Sequence, residues 1–357
     1  MDISQFLTIP PYSLNKIEKE KLLSPYFSEL FRHHYNKCEQ FKKMMDSIGF
    51  NVEKENKYSD LPFLPVRLFK MFDLISIAKE NVVKTLTSSG TSGQAVSRIF
   101  LDRENSANQT KALTKIVSSF IGTNRAPMII IDTESVIKNR NLFSARGAGI
   151  LGFSLFGSKH IYALDEQMKL KIDELKRFVE EFKDKRIFMF GFTYMIYQHF
   201  YKELVENEIK LDLSNVVLIH GGGWKKLINE SISSSAFREK LYIVCAIKSV
   251  HDYYGMVEQT GTIYMECEHG HLHAPIYSDI IIRRARDFSI ADIGEQGIIQ
   301  VLSILPLSYP GHSLLTEDEG ILLGEDDCPC GRLGKYFKVL GRLQNAEIRG
   351  CSDTYTV

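Results

Sequence analysis

From residue 80 to about 255, short apolar runs rich in β-branched and aromatic residues alternate with longer stretches of helical spacing, and nothing else in the sequence restricts the fold as strongly. The β-like runs are Arg98–Leu101, Met128–Ile131, His160–Ala163, Ile187–Phe190, Val216–Ile219 and Tyr242–Ala246. Between several of them lie helix-like segments, for example Glu166–Phe182 and Lys225–Lys240. Strands that alternate with helices imply an α/β sheet with substantial parallel pairing. Upstream, Tyr26, Leu30 and Phe31 share one helical face, as do Phe41, Met44 and Met45. A Pro-punctuated LPFLPVRLF then leads into a short strand at Val82–Leu86. After residue 255 the pattern changes to short strands and turns at Gly261–Glu266, Ser278–Arg284, Gly297–Leu302 and Tyr336–Leu340. The expected organisation is a helical segment over 1–80, an α/β core over 81–255, and a β-rich subdomain with a tail over 256–357.

Charge and cysteine usage narrow the function. Lys plus Arg and Asp plus Glu each number 44, so no net charge draws the chain to nucleic acid or an anionic membrane. Arg283 to Arg286 reads as a solvated strand end. The longest uncharged apolar stretch, Ile187 to Tyr201, is interrupted by polar residues and falls short of the roughly 20 residues that cross a bilayer. The amino terminus lacks the basic start and apolar run of a secretory signal. The six cysteines, at 38, 245, 267, 328, 330 and 351, crowd toward the end, which suggests metal or thiol chemistry in the cytoplasm and not a disulfide frame.

Three glycine-rich segments compete for attention. T-S-S-G-T-S-G, Thr87 to Gly93, combines hydroxyls and glycines whose donors can face phosphate oxygens, and it lacks the G-K-[ST] of a Walker loop. G-A-G-I-L-G, Gly147 to Gly152, matches the dinucleotide fingerprint in letters, but no strand precedes it and no crossover helix follows, so close backbone packing is the expected role. H-G-G-G-W, His220 to Trp224, follows a strand and imitates an esterase oxyanion loop, yet the sequence has no G-x-S-x-G elbow. A glycine turn at the carboxyl end of a parallel strand remains a place where ligands bind.

Four segments taken in order resemble the signature series of the acyl-adenylate-forming superfamily: TSSGTSGQAVSR (87–98), YYGMVEQTG (253–261), LLTEDEG (314–320) and VLGRLQNAEIRG (339–350). FSARGAGILGF (143–153), CPCGRLGKYFKVLGR (328–342) and AEIRGCSDTY (346–355) are similar to the LuxE-type acyl-protein synthetases, with phenylacetate–coenzyme A ligases as neighbours. The resemblance implies the large amino-terminal domain of an adenylate-forming enzyme without the carboxyl-terminal lid, since seven residues follow Gly350. It also implies that a fatty or other carboxylic acid attacks the α-phosphate of ATP, with Mg²⁺, N–H donors and hydroxyls neutralising the charge. By resemblance Thr87, Ser88, Ser89, Gly90 and Thr91 hold phosphates, Glu258 ligates Mg²⁺, and Tyr254, beside Gly255, lies against adenine. Asp318 accepts from the ribose hydroxyls, Arg342 reaches ribose or phosphate, and Gly221 and Gly222 line the adenine or acyl pocket. Cys351, in R-G-C-S-D, matches the cysteine described as the acyl acceptor, and Arg349 beside it favours the thiolate.

Cys267 and His273, with Cys328-x-Cys330, supply the ligands of a tetrahedral Cys₃His structural zinc, with His269 and His271 as competitors for the imidazole position. The resemblance to phenylacetate ligases implies such a zinc at corresponding positions. Two other readings stay open: an acyl–coenzyme A or acyl–carrier-protein ligase in which Cys351 is incidental, and a non-catalytic nucleotide-binding subunit that docks an acyl reductase.

Overall fold

The computed structural model describes residues 3–54, 57–88, 95–138, 145–224, 227 and 230–343. Its fourteen strands are β1 (Leu64–Pro65), β2 (Lys84–Thr87), β3 (Arg98–Leu101), β4 (Ala126–Ile130), β5 (Gly157–Tyr162), β6 (Ile187–Phe192), β7 (Val216–Gly221), β8 (Ser249–Tyr254), β9 (Tyr264–Glu266), β10 (Leu272–His273), β11 (Ser278–Arg283), β12 (Gln296–Ser303), β13 (Ser313–Glu325) and β14 (Lys335–Arg342). The chain forms two compact units. One takes residues up to 119, 255–265 and 271 onward; the other takes 120–254 and the turn 266–270.

In the first unit β11, β12, β13, β14 and β10 pair in that order, all antiparallel, and β1 runs parallel to β13. β2 and β3 form a separate hairpin. The helix Lys16–Lys37 starts at a capping box, in which Asn15 Oδ1 accepts from Glu18 N at 3.0 Å and Glu18 Oε2 from Asn15 N at 3.1 Å. That helix buries Leu23, Phe27, Leu30 and Phe31, and Phe31 meets Phe41 of the helix Glu39–Ser47 at a centroid distance of 5.1 Å.

The same helix delivers a charge to the interior. Lys19 Nζ, 2% exposed, lies 3.5 Å from Asp279 Oδ1 on β11 and donates to Ala274 O at 3.2 Å. Lys335 Nζ at the head of β14 reaches Asp279 Oδ2 at 2.8 Å, and the Tyr58 hydroxyl donates to the same oxygen. Burial pushes the Asp279 carboxyl up, but the two ammonium groups override it and hold it at about 2. About four turns further along the same helix, His34 stacks on His312 at 4.9 Å, with its Nδ1 2.7 Å from Ser76 Oγ and its Nε2 3.0 Å from Pro306 O. Burial drives His34 well down and His312 to about 3, so both rings are neutral near pH 7.

The second unit is the expected parallel sheet, in the order β8-β7-β6-β4-β5. Numbered from its own first strand the order is 2-1-3-4-5, a doubly wound arrangement whose direction of winding reverses between β4 and β6. Every residue of β4, β6 and β7 is buried, as both faces of a covered parallel sheet require. Tyr242–Ala246 is not a strand. It closes the helix Ser234–Cys245, which ends on Ala246 in the left-handed region at φ 57°. Phe237, Leu241 and Cys245, spaced by four, bury one face of that helix while Tyr242 and Ile243 face solvent, so an apolar run there mimics a strand. The helix expected over Glu166–Phe182 begins at Ile172, because Asp165 Oδ1 holds a turn by accepting from Gln167 N and Lys169 N, each at 2.9 Å. The G-A-G-I-L-G segment is the interior of the helix Ala145–Ser154, where a Cβ on Gly149 would stand 3.1 Å from the Phe192 ring. Arg284 is ion-paired, to Glu295 at 2.6 Å and Asp292 at 2.9 Å. Among the described residues no helix is long and apolar enough to cross a membrane.

Removing one member of a buried charge cluster leaves the others desolvated. Asp279→Ala should therefore cost about 3–5 kcal/mol of unfolding free energy in urea. Acid should act in two windows. Folded His312 has a lower value than an unfolded histidine near 6.5, so the unfolded state takes up its proton first. Stability should then fall from about pH 6.5 toward about 3, with a limiting slope of roughly 1.4 kcal/mol per pH unit for each such histidine. Asp279, depressed below an unfolded value of about 3.9, should add its own loss only between about pH 4 and 2. A urea midpoint that stays flat down to pH 4.5 would contradict the histidine assignment.

Candidate active site and a cysteine–histidine cluster

The carboxyl ends of the parallel strands gather several of the expected residues within the second unit. Gly221 closes β7 opposite Tyr253 of β8, and a Cβ on it would stand 2.5 Å from the Tyr253 ring. Gly222 follows at φ 79°, where a Cβ would meet Phe192 at 2.6 Å. Side chains are excluded at both positions, so the turn presents bare backbone. His220 fixes the turn from beneath: its Nδ1 is 2.9 Å from Thr193 Oγ1, which lies 3.1 Å from Gly221 O. Burial, with Arg238 and His251 adding, lowers His220 to about 3, so the ring is neutral beside Asp252 at 3.6 Å. Tyr254 ends β8 half-buried.

Sequence reasoning missed three residues on this edge. Tyr253, and not Tyr254, covers Gly221, a choice set by strand pleat and register. Thr193 sits just past β6 and ties that strand to β7. Arg146, 3.1 Å from Asp132 just past β4, is a buried ion pair at the point where the winding reverses. The FSARGAG segment carried a signal for Arg146, but pairing to Asp132 was visible only in the fold.

Thr87, Ser88, Gly255, Glu258, Asp318 and Arg342 belong to the first unit. Asp318 of β13 and Arg342 of β14 are directly opposite in register, with Arg342 Nε 3.5 Å from Asp318 Oδ1 and its Nη2 3.1 Å from Glu317 Oε2. Asp318 N donates to Thr316 Oγ1 at 3.1 Å, and Thr316 is anchored on Ile299 O at 2.8 Å. Glu258, on the turn Val257–Gln259, is completely buried, and Gln259 beside it donates to Val301 O and Gly311 O at 3.1 and 2.9 Å. Gly255 packs against Ile263, with 3.0 Å between its ideal Cβ and Ile263 Cγ2. Thr87 ends β2. Ser88 closes the hairpin neck: its Oγ accepts from Ser97 N at 2.9 Å, and its own N donates to Ser97 O at 3.1 Å. Ser89, Gly90, Thr91 and Cys351 lie outside the described residues.

Cys267, His273, Cys328 and Cys330 come together, with one ligand atom from each and all four within 4.8 Å of one another. His273 is on β10, and Cys267 is on the turn that leads into that strand. Cys330 Sγ is 3.4 Å from His273 Nε2. Tyr336 stacks on His273 at 5.6 Å and on His271 at 4.9 Å, and His271 Nδ1 is 3.3 Å from Cys328 Sγ. His269 offers its backbone N–H to Cys267 Sγ at 3.4 Å.

The family model described as acyl-protein synthetase, LuxE, matches residues 3–356. The chain belongs to the LuxE acyl-protein synthetase family. Long-chain-fatty-acid–luciferin-component ligases are similar along its length: that of Vibrio harveyi is 22% identical over 94% of this chain and 87% of its own, and that of Aliivibrio fischeri 24% over 94% and 88%. Among solved structures, an open 2-hydroxyisobutyryl-CoA ligase bound to its acyl adenylate and CoA superposes with a TM-score of 0.71 at 13% identity, covering 94% of this chain and 77% of that one. This LuxE-family chain therefore has the fold of the adenylate-forming enzymes and is a ligase.

The glycine turn yields a direct test. Gly222→Ala introduces both positive-φ strain and a clash with Phe192, whereas Gly223, at φ 64°, has open space around its Cβ position. Denaturant titration should show Gly222→Ala losing about 1–3 kcal/mol, and Gly223→Ala distinctly less. Equal losses would mean that the Phe192 ring does not lie over the turn.

Proposed function

We propose that this chain activates a fatty or other carboxylic acid with ATP and passes the acyl group to a protein thiol. The observation that supports this reading best is the pairing of Asp318 with Arg342, two residues from separate motifs, in the same compact unit as a wholly buried Glu258. A carboxylate oxygen of the acid attacks the α-phosphorus of ATP; the bond to the β-phosphate oxygen breaks, and pyrophosphate leaves with its electron pair. A thiolate then attacks the acyl carbon, the carbon–oxygen bond to phosphate breaks, and AMP departs.

Each residue suits its part. Asp318 accepts from ribose hydroxyls, and Arg342 offers a fixed fork of donors to ribose or phosphate. Thr87 and Ser88, continuing into Ser89, Gly90 and Thr91, supply phosphate donors, and the bare backbone at Gly221 and Gly222 gives a flat ligand a surface, with Tyr254 against adenine. A fully buried carboxylate such as Glu258 carries a desolvation cost that a bound cation offsets, and its hard oxygens suit Mg²⁺, which neutralises phosphate charge. Cys351 is the acceptor thiol, and an acyl reductase or acyl carrier is the partner that takes the acyl group onward.

The test follows pyrophosphate and protein mass together, with ATP and a panel of acids. Glu258→Gln and Asp318→Ala should each lower acid-dependent pyrophosphate release about 10²–10³-fold with circular dichroism unchanged. Cys351→Ser should keep that release and lose hydroxylamine-sensitive acyl label. Cys245→Ser should keep the label, because burial pushes that thiol up to about 12. Label that persists without Cys351, or appears only on added coenzyme A, transfers the case to an acyl–coenzyme A ligase.

The cysteine–histidine cluster fits a structural zinc. Tetrahedral bonds of about 2.3 Å to sulfur and 2.0 Å to nitrogen place those atoms roughly 3.5 Å apart, close to the 3.4 Å between Cys330 and His273. Four protein ligands leave no open position, so the ion would bind and hold the fold without touching substrate. Protein purified without chelators should contain about one zinc per chain, and Cys328→Ser should lose it and melt earlier. Stable metal-free protein would end this assignment.

A further inference from the structure

The opposite edge of the parallel sheet carries a feature that adenylation does not use. Two open cavities of about 450 and 490 Å³ lie at the amino ends of the strands, and both are lined by Lys185 and Arg186 just before β6. Lys183 and Lys248 add positive charge to the first and Arg125 to the second, and Asp184 is the acid among the lining residues of either. The chain as a whole is balanced at 44 cations and 44 anions, so five cations against one acid is a local segregation of charge. Among the described residues Arg125, Lys185, Arg186 and Lys248 take part in no ion pair; Arg186 Nη1 donates to Ile121 O at 3.2 Å, and Lys185 lies 5.7 Å from the Phe182 ring.

Part of this charge has a structural source. Crossover helices end at this edge, and cations are favoured at helix carboxyl ends. Arg125 after the helix Arg103–Ile121 and Lys248 after Ser234–Cys245 satisfy that preference at one cation per helix. The helix Ile172–Glu181 is followed by three, of which only Lys183 pairs, with Glu180 at 2.6 Å. Lys185 and Arg186 exceed what the dipole asks for, and they are the two that both cavities share.

We propose that this edge docks an acidic face of a partner protein. All five cations are exposed. A small anion would remain in water beside them and be held weakly, whereas many screened attractions spread over a broad face add up to steering and orientation. The rim is also mixed. Glu180 is bonded to Lys183, Glu181 bonds Lys159 at 2.7 Å, and Asp212, held down first by hydrogen bonds from Ser214, is also stabilised by Lys248. These acids repel the uniform charge of a nucleic acid or anionic bilayer, but a protein face with interspersed basic groups can match them. Thr123, Asn124, Ser214 and Ser249 line the cavities with neutral polar groups for such a face.

The probe is a fluorescent acidic peptide of repeated Glu-Glu-Lys-Glu units, which intersperses basic groups among the acids. It is titrated against full-length protein at low and at physiological salt, in parallel with a single-stranded oligonucleotide of equal net charge, phosphatidylserine vesicles and inorganic pyrophosphate. Lys185→Glu/Arg186→Glu/Lys248→Glu should weaken peptide binding at least about tenfold, while Lys79→Glu/Lys111→Glu/Lys115→Glu, with the same net charge change at exposed sites elsewhere, should not. Acid-dependent pyrophosphate release should be unchanged in both variants, so a failure of docking is separable from a failure of adenylation. Equal peptide binding by the two triple variants, no peptide binding at all, or binding of only the oligonucleotide, vesicles or pyrophosphate would overturn the proposal.

Discussion

One buried carboxylate organises the first unit. Asp279 is drawn to Lys19 from the first long helix, Tyr58 from the turn before β1, and Lys335 from the head of β14, segments far apart in sequence. An ionised group in the interior is tolerable only when its partners are in place, so none of the three segments can settle elsewhere without leaving charge exposed to a medium of low polarity. The consequence travels along β14. Lys335 fixes where that strand begins; Tyr336, next in line, stacks on His271 and His273; Arg342, at the far end, faces Asp318 across the ladder. A slip of one residue would turn every side chain of β14 to the other face, separating Arg342 from Asp318 and Tyr336 from the histidines at once. The ion cluster is thus the register pin for two sites it does not touch.

The parallel sheet was legible at its central strands because those are buried on both faces and therefore read as continuous apolar runs, as at Ile187–Phe192 and Val216–Gly221, whereas the half-buried edge strand Ser249–Tyr254 was missed. The same signal misled at Tyr242–Ala246, where a helix end shows two apolar side chains to solvent. β13 was legible only as a motif. Its thirteen residues include Thr316, Glu317, Asp318 and Glu319, a polar stretch that no apolar alternation marks as strand. The order of the motifs placed Asp318 and Arg342 in the series, and strand register explains why they meet. What spacing could not supply was direction. Tyr253 and Tyr254 differ only in which face of the pleat they take, and Asp132 finds Arg146 through the packing of a helix. His271 and His273, two apart, are not separated by spacing, and each approaches one cysteine, at 3.3 Å from Cys328 and 3.4 Å from Cys330. What favours His273 is that its ligand atom and those of the three cysteines all lie within 4.8 Å of one another.

The polarity of parallel strands sets the character of both edges in the second unit. Helices that return between parallel strands run against them, so their amino ends lie toward the carboxyl ends of the strands and their carboxyl ends toward the amino ends. The first edge therefore favours anions, and it is there that the glycine turn at Gly221 and Gly222 presents bare backbone. The second edge carries the negative ends of the helices and collects Arg125, Lys185, Arg186 and Lys248. With six residues in β6 and β7, and about 3.3 Å for each, the two edges stand roughly 20 Å apart. An acidic partner at the basic edge would therefore sit clear of the glycine turn. One topological fact, strands that all point the same way, gives this unit one edge where helix amino ends favour anions and an opposite edge where cations gather.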